Sequence, residues 1–323
     1  MLFITNRALR QSVRSRLNRK VDFSISDNSA CQHLYYCERT APGEYREIKS
    51  DGFMEQLRNS KAEQVLFFVH GFSNLPEPNI FPLVEYLQKF FNDYQKNLVE
   101  VIPIIWPCDD DKGILKDYFD DQRAADASAF AFARALGKFD DWRNNLAAKD
   151  IMCLKRINVL CHSMGNRVFR GATRDWVDHD QFGHPPLLFR NIFLMAADIR
   201  HDTLEEGKPG EYIPDICRNL VVYHAADDLA LRASKTVNKG NRISSLRMGH
   251  KGPRDLDKVP KNVYSIDAGF VNQDYDPPKG HTYFINQNNK KSIKPGNVFE
   301  HLANCIKKGS VVANSDRTLE IQG

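Results

Sequence analysis

The run Ile157-Asn158-Val159-Leu160-Cys161-His162-Ser163-Met164-Gly165-Asn166-Arg167-Val168 decides how the rest of this 323-residue chain reads. Residues 157–161 are mostly apolar and β-prone and predict a strand, and residues 164–176 predict a helix. Ser163 falls at the junction. A serine there stands on a tight, strained turn with its hydroxyl exposed above the end of a sheet. Strand and helix backbones approach closely at such a turn, so small residues are needed two before and two after the serine. Gly165 meets that demand, and Cys161 is small without being the smallest. Serine is also a good helix N-cap, and these five residues alone fit that plain role equally well.

Working outward, Val65-Leu66-Phe67-Phe68-Val69 is a continuous apolar run that suits a central strand buried on both faces. His70-Gly71-Phe72 follows it. The backbone N–H of Phe72, with that of Met164 just after the serine, forms the expected pair of donors for an oxyanion. His70 reads as a buried histidine steadying the loop, without a proton-transfer role. A helix is predicted over 80–97 and a strand over 101–106, which Pro103 pulls toward an edge or a bulge. Tyr118, Gln122, Ala125, Ala129, Phe132 and Leu136 make a helical stripe with Gly137 placed to cap it. Strands follow over 191–197, 220–224 and 263–266, the last of them, and a helix over 299–307 closes the chain. This alternation predicts an α/β fold, a mostly parallel sheet flanked by helices. Residues 2–5 read as a first strand, 21–26, 34–37 and 45–48 as an antiparallel edge, and 51–60 as a short helix. The expected organisation is one domain over 1–323: an edge over 1–60, a catalytic core over 65–285, and a C-terminal helix and tail over 286–323.

A serine on such a turn needs a base, and the base needs a carboxylate to hold its tautomer. In this architecture the chain order is serine, acid, histidine. Asp227 and Asp228 follow the strand at 220–224, and Asp198 follows the strand one earlier; each is also compatible with a helix N-cap. Of the ten histidines, three lie beyond Asp228. His301 falls inside the closing helix and His250 in a basic loop. His281 follows Gly280 in a loop after the predicted last strand, where a histidine can return to the serine.

These stretches together resemble a largely bacterial branch of the α/β-hydrolase superfamily, esterase- or lipase-like proteins mostly without assigned function. The resemblance is carried by residues 67–72, Trp106-Pro107, Tyr118 with Asp121 and Ser128, residues 162–168, Ala197-Asp198-Ile199, Asp228-Leu229-Ala230-Leu231 with Ser234, and residues 280–284. It implies the α/β-hydrolase fold and a triad of Ser163, Asp228 and His281. The Leu229-Ala230-Leu231 that follows Asp228 favours it over Asp227. Cys161 stands where relatives more often carry alanine or glycine. No substrate is implied.

The expected chemistry is cleavage of a carboxylic ester, thioester or lipid ester through an acyl-serine, with no metal or cofactor. An amidase, peptidase or acyltransferase uses the same triad, and a non-catalytic binding module uses the same fold. The 21 residues of 198–218 are too few for a large cap, so an open site is expected, bordered by loops 73–79 and 235–261. Eight Lys and Arg in the second loop suit an anionic substrate or a phospholipid surface, or simply a solvated loop. Hydrophobic content of 42%, charged content of 27% and a net charge of +4 fit an ordinary globular chain and give no case for nucleic acid. Seven scattered cysteines read as reduced thiols of a cytoplasmic protein, and no apolar run is long enough to span a membrane.

Overall fold

The structure is a computed structural model that describes residues 1–108, 114–148, 155–232, 246–287 and 293–323. Its strands are β1 (Leu2–Arg7), β2 (Lys20–Val21), β3 (Ala30–Ala41), β4 (Glu44–Glu47), β5 (Gln64–Val69), β6 (Val99–Ile105), β7 (Arg156–His162), β8 (Phe189–Met195), β9 (Cys217–His224), β10 (Val263–Asp267) and β11 (Thr318–Glu320). They form one sheet in the order β11-β10-β9-β8-β7-β5-β6-β1-β3-β4-β2. Every pair from β11 to β1 is parallel, and β1–β3, β3–β4 and β4–β2 are antiparallel. The helices are α1 (Lys49–Asn59), α2 (Phe81–Tyr94), α3 (Ile114–Ala148), α4 (Gly165–Asp180), the single turns α5 (Met248–Lys251) and α6 (Asn272–Tyr275), and α7 (Asn297–Lys308).

The apolar run of β5 is continuous because its alternate side chains enter two different cores. Val65, Phe67 and Val69 join a cluster with Phe53 of α1, Phe132 and Phe139 of α3 and Val168 and Trp176 of α4. Leu66 and Phe68 join another with Phe90 and Phe91 of α2 and Phe299 and Ile306 of α7. Helices thus cover both faces, and burying each such side chain contributes about 1.5–3 kcal/mol. Between β8 and β9, residues 201–216 run as successive turns and bends, with no large cap.

Three expectations are corrected. Pro103 sits in an interior strand, opposite Phe68 of β5. The ladder to β1 begins only at Ile104, so the missing proline donor costs no pair on that side. Gly137 does not cap α3 but lies inside it. A Cβ there would come within 3.3 Å of Asp180 Oδ2 and 3.8 Å of the Trp176 ring, so the glycine lets α3 and α4 lie close together. The sheet does not end at β10, because β11 adds a parallel edge strand, pairing Ser265 with Thr318. At the other end, Arg7 is not a surface charge. It is fully buried and donates to the carbonyls of Ser24, Ile25 and Cys108, tying β1 to the chain on either side. The six described cysteines are free thiols.

Candidate active site

Ser163 follows the last residue of β7 and adopts φ +52°, the left-handed region that costs a non-glycine residue about 1–3 kcal/mol. The surroundings hold it there. Ser163 N–H donates to Met195 O at 3.0 Å, and its own carbonyl accepts from Asp198 N–H at 3.2 Å. The Asn166 side-chain amide donates to Ser163 O at 2.9 Å and to Cys161 O at 3.1 Å, clamping strand to helix. A Cβ on Gly165 would lie 2.5 Å from the carbonyl oxygens of both Val69 and His70, so only glycine fits. Cys161 turns its side chain into the core, where burial pushes its thiol well above the ordinary range and leaves it unreactive.

The loop after β5 is fixed by His70. Its ring stacks on Trp106, centroids 5.1 Å apart and 4° from parallel. Nδ1–H donates to Gly71 O at 2.8 Å, and Nε2 accepts the Trp106 N–H at 3.2 Å. Burial drives its pKa down to about 3, which keeps it neutral in that tautomer. Asn74 donates to the carbonyls of Gly71 and Phe72, and Asp121 of α3 accepts the Ser73 N–H at 2.8 Å. Among the described residues, the N–H groups of Phe72 and Met164 make no hydrogen bond within the protein. Gly71 lies against the serine: a Cβ there would come within 3.0 Å of Ser163 Cβ.

His281 and Asp228 meet in the structure, His281 Nδ1 donating to Asp228 Oδ2 at 2.6 Å in a buried setting. The other Asp228 oxygen accepts the Leu231 N–H at 2.9 Å, so the carboxylate also caps the turn after it. Asp276 accepts the backbone N–H of His281 and of Thr282, holding the histidine loop. The imidazole packs on His162, centroids 4.8 Å apart, and the His162 Nε2–H donates to His281 O at 3.2 Å. Burial opposes an imidazolium at His281, but the Asp228 carboxylate, with Asp198 and Asp276 further off, prevails and raises its pKa above 6.5. Burial, then the charge of His281, holds His162 well below 6.5. Among the described residues the Ser163 hydroxyl makes no hydrogen bond to His281. Such contacts often close only around a substrate.

The other two aspartates have different partners. Asp227 accepts from Asn272 Nδ2 at 2.7 Å. Asp198 accepts from the Tyr118 hydroxyl at 2.7 Å and lies 3.0 Å from Arg247 Nε. Tyr118 in turn meets the Phe72 ring edge-on at 5.6 Å. Sequence alone marks Tyr118, Asp121 and Asn166 without roles, offers Asp198 as an alternative acid and Arg247 as one of the basic-loop charges, and does not single out Asp276; here Asp198 is engaged by Tyr118 and Arg247. For Tyr118 and Asp121, three apart on one helix face, that spacing was the available signal. Of the basic loop, residues 235–245 lie outside the described residues, and His250 sits in α5 rather than in a loop. Among the described residues no set of His, Cys, Asp or Glu gathers as metal ligands, and no helix is long and apolar enough to cross a membrane.

Residues 46–292 match the alpha/beta hydrolases of unknown function grouped as DUF900, and the chain belongs to that family. No curated protein matches the sequence. Two solved structures of the phospholipase PlaB from Legionella pneumophila are similar over 68% of this chain, one in complex with thio-NAD and one without. Identities are 17% and 16%, with TM-scores of 0.28 and 0.25. The chain spans only 40% and 42% of their length.

Proposed function

We propose that this alpha/beta hydrolase is a serine hydrolase that cleaves a carboxylic ester through an acyl-enzyme on Ser163. His281 Nε2 takes the hydroxyl proton as Ser163 Oγ attacks the carbonyl carbon. The tetrahedral oxyanion accepts the N–H groups of Phe72 and Met164. The intermediate collapses, the C–O bond to the alcohol breaks, and the alcohol leaves with the proton from His281. Water, deprotonated by His281, then attacks the acyl carbon; the bond from that carbon to Ser163 Oγ breaks, His281 returns the proton to Oγ, and the acid is released. Asp228 holds the Nδ1–H tautomer and stabilises the imidazolium at each stage. The observation that carries this reading is the buried 2.6 Å contact between His281 and Asp228, beside a serine held at φ +52°. The uncommitted N–H groups of Phe72 and Met164 support it.

The test is covalent labelling by a fluorophosphonate, read as intact mass. Wild type gains one adduct, and Ser163→Ala and His281→Ala do not. A folded wild type that takes up no label refutes the reading.

A further inference from the structure

Among the described residues, Arg170 near the site has no ion-pair partner. Arg167, Arg170 and Arg174 step by three and four along one face of α4, which starts two residues after Ser163. Arg167 forms a two-pronged pair with Asp126 of α3, Nε and one terminal nitrogen each 2.6 Å from a carboxylate oxygen. Arg174 pairs with Asp178. Arg247 enters from the N-terminal side of α5 and lies against Asp198, whose backbone N–H holds the Ser163 carbonyl. Arg170, half-buried among them, makes no ion pair or hydrogen bond among the described residues. Burial, then the charge of Arg167, and further off those of Arg247 and Arg174, push its pKa down to about 10 against the pull of Asp126. Among these groups four guanidiniums therefore face three carboxylates, and the one left over is Arg170. A partly desolvated guanidinium with all five donors unused is costly until an anion takes them.

We propose that Arg170, together with Arg167 and Arg247, binds a phosphate group carried by the substrate whose ester Ser163 cleaves. This rests on the serine hydrolase reading for its connection to Ser163. A carboxylate has two oxygens and is saturated by one guanidinium fork, whereas a phosphate has a third oxygen to bridge a second. Arg167 keeps one terminal nitrogen, and Arg247 both, outside any hydrogen bond among the described residues, so the neighbouring donors exist. Arg170 follows Ser163 by seven residues, on the order of 10 Å along the helix. The substrate is then an ester whose phosphate stands several bonds from the scissile carbonyl. A lipid headgroup and a soluble phosphate monoester share that chemistry.

Calorimetric titration of the full chain with glycerol 3-phosphate, with glycerol as the neutral control, tests the site. A second arm measures co-sedimentation with phosphatidic acid vesicles against phosphatidylcholine vesicles. Saturable binding of the phosphate ligand by wild type and Ser163→Ala alike is expected, weakened at least tenfold in Arg170→Gln and less in Arg170→Lys. Binding to the acidic vesicles alone, lost in Arg170→Gln, assigns the phosphate to a lipid. Binding of neither ligand, or equal binding by Arg170→Gln, overturns the inference. Fluorophosphonate labelling of the same samples separates the two claims: phosphate binding without labelling leaves this site standing and refutes the hydrolase reading.

Discussion

Gly165→Ala asks how tightly the turn at Ser163 is built. The added methyl would sit 2.5 Å from two carbonyl oxygens, Val69 O and His70 O, and 2.9 Å from Val69 C, where ordinary contact begins near 3.4 Å. Nothing soft can give way. Val69 ends a strand paired on both sides, to Ile104 of β6 and Cys161 of β7, so moving it breaks two ladders. The other way out is to shift the start of α4, which drags Ser163 and the Asn166 clamp with it. Overpacking of this kind costs about 1–3 kcal/mol, and backbone on every side puts it near the top of that range. In a chain of this size that lowers the melting temperature by about 4 °C. Because the shift is absorbed at the serine, the labelling rate falls about a hundredfold, as a displacement near 1 Å does. Differential scanning calorimetry and timed fluorophosphonate labelling measure the two effects. A variant with unchanged melting and labelling would refute the tight-turn reasoning.

Asp228→Asn leaves the shape of the acid but favours the wrong histidine tautomer, so labelling should slow by about 10³- to 10⁴-fold, read as the second-order rate. In wild type that rate rises with pH through an inflection above 6.5, because the base must be neutral and Asp228 raises its pKa; in Asp228→Asn the inflection moves down, since burial then acts unopposed. Stability has a different pH dependence. His70 and His162 are buried with lowered pKa values, so they contribute stability above 6.5 that is lost as pH falls toward about 3 for His70, each by up to about 1.4 kcal/mol per pH unit. His281 opposes this, contributing stability below 6.5 that is lost as pH rises through its raised value, but His201, His224 and His301, also lowered chiefly by burial, act in the same direction as His70 and His162; melting between pH 7.5 and 5 should show a net fall on acidification. Tyr118→Phe removes a 2.7 Å bond to a buried carboxylate and should cost about 1–3 kcal/mol, measured by urea unfolding.

The central strands were legible in the sequence because apolar runs such as 65–69 have no other home than a sheet covered on both faces. The turn at Ser163 was legible because Gly165 and the strand-to-helix switch coincide within a few residues. Asp228 needed the resemblance, since Asp227 beside it offers the same chemistry, and only folding shows Asn272 taking one and His281 the other. Pro103 misled because proline penalties depend on which neighbour a residue faces, which a sequence does not state. Gly137 misled because its reason lies on another helix, at Trp176 and Asp180. β11 is three residues long and follows a turn, too short for periodicity to show.

The contact between His162 and His281 bridges 119 positions of the chain, and that between His281 and Asp228 bridges 53. The serine turn is local and can form as soon as β5, β7 and α4 exist, but Asp228 and His281, its proposed acid and base, reach it only when the later strands have docked. A ribosome that has released residues 1–200 would thus hold a nearly complete sheet centre with an inert serine. Reactivity toward the labelling reagent should appear late in refolding, after most of the helix signal has returned, which would make that reagent a clock for the final stage of assembly.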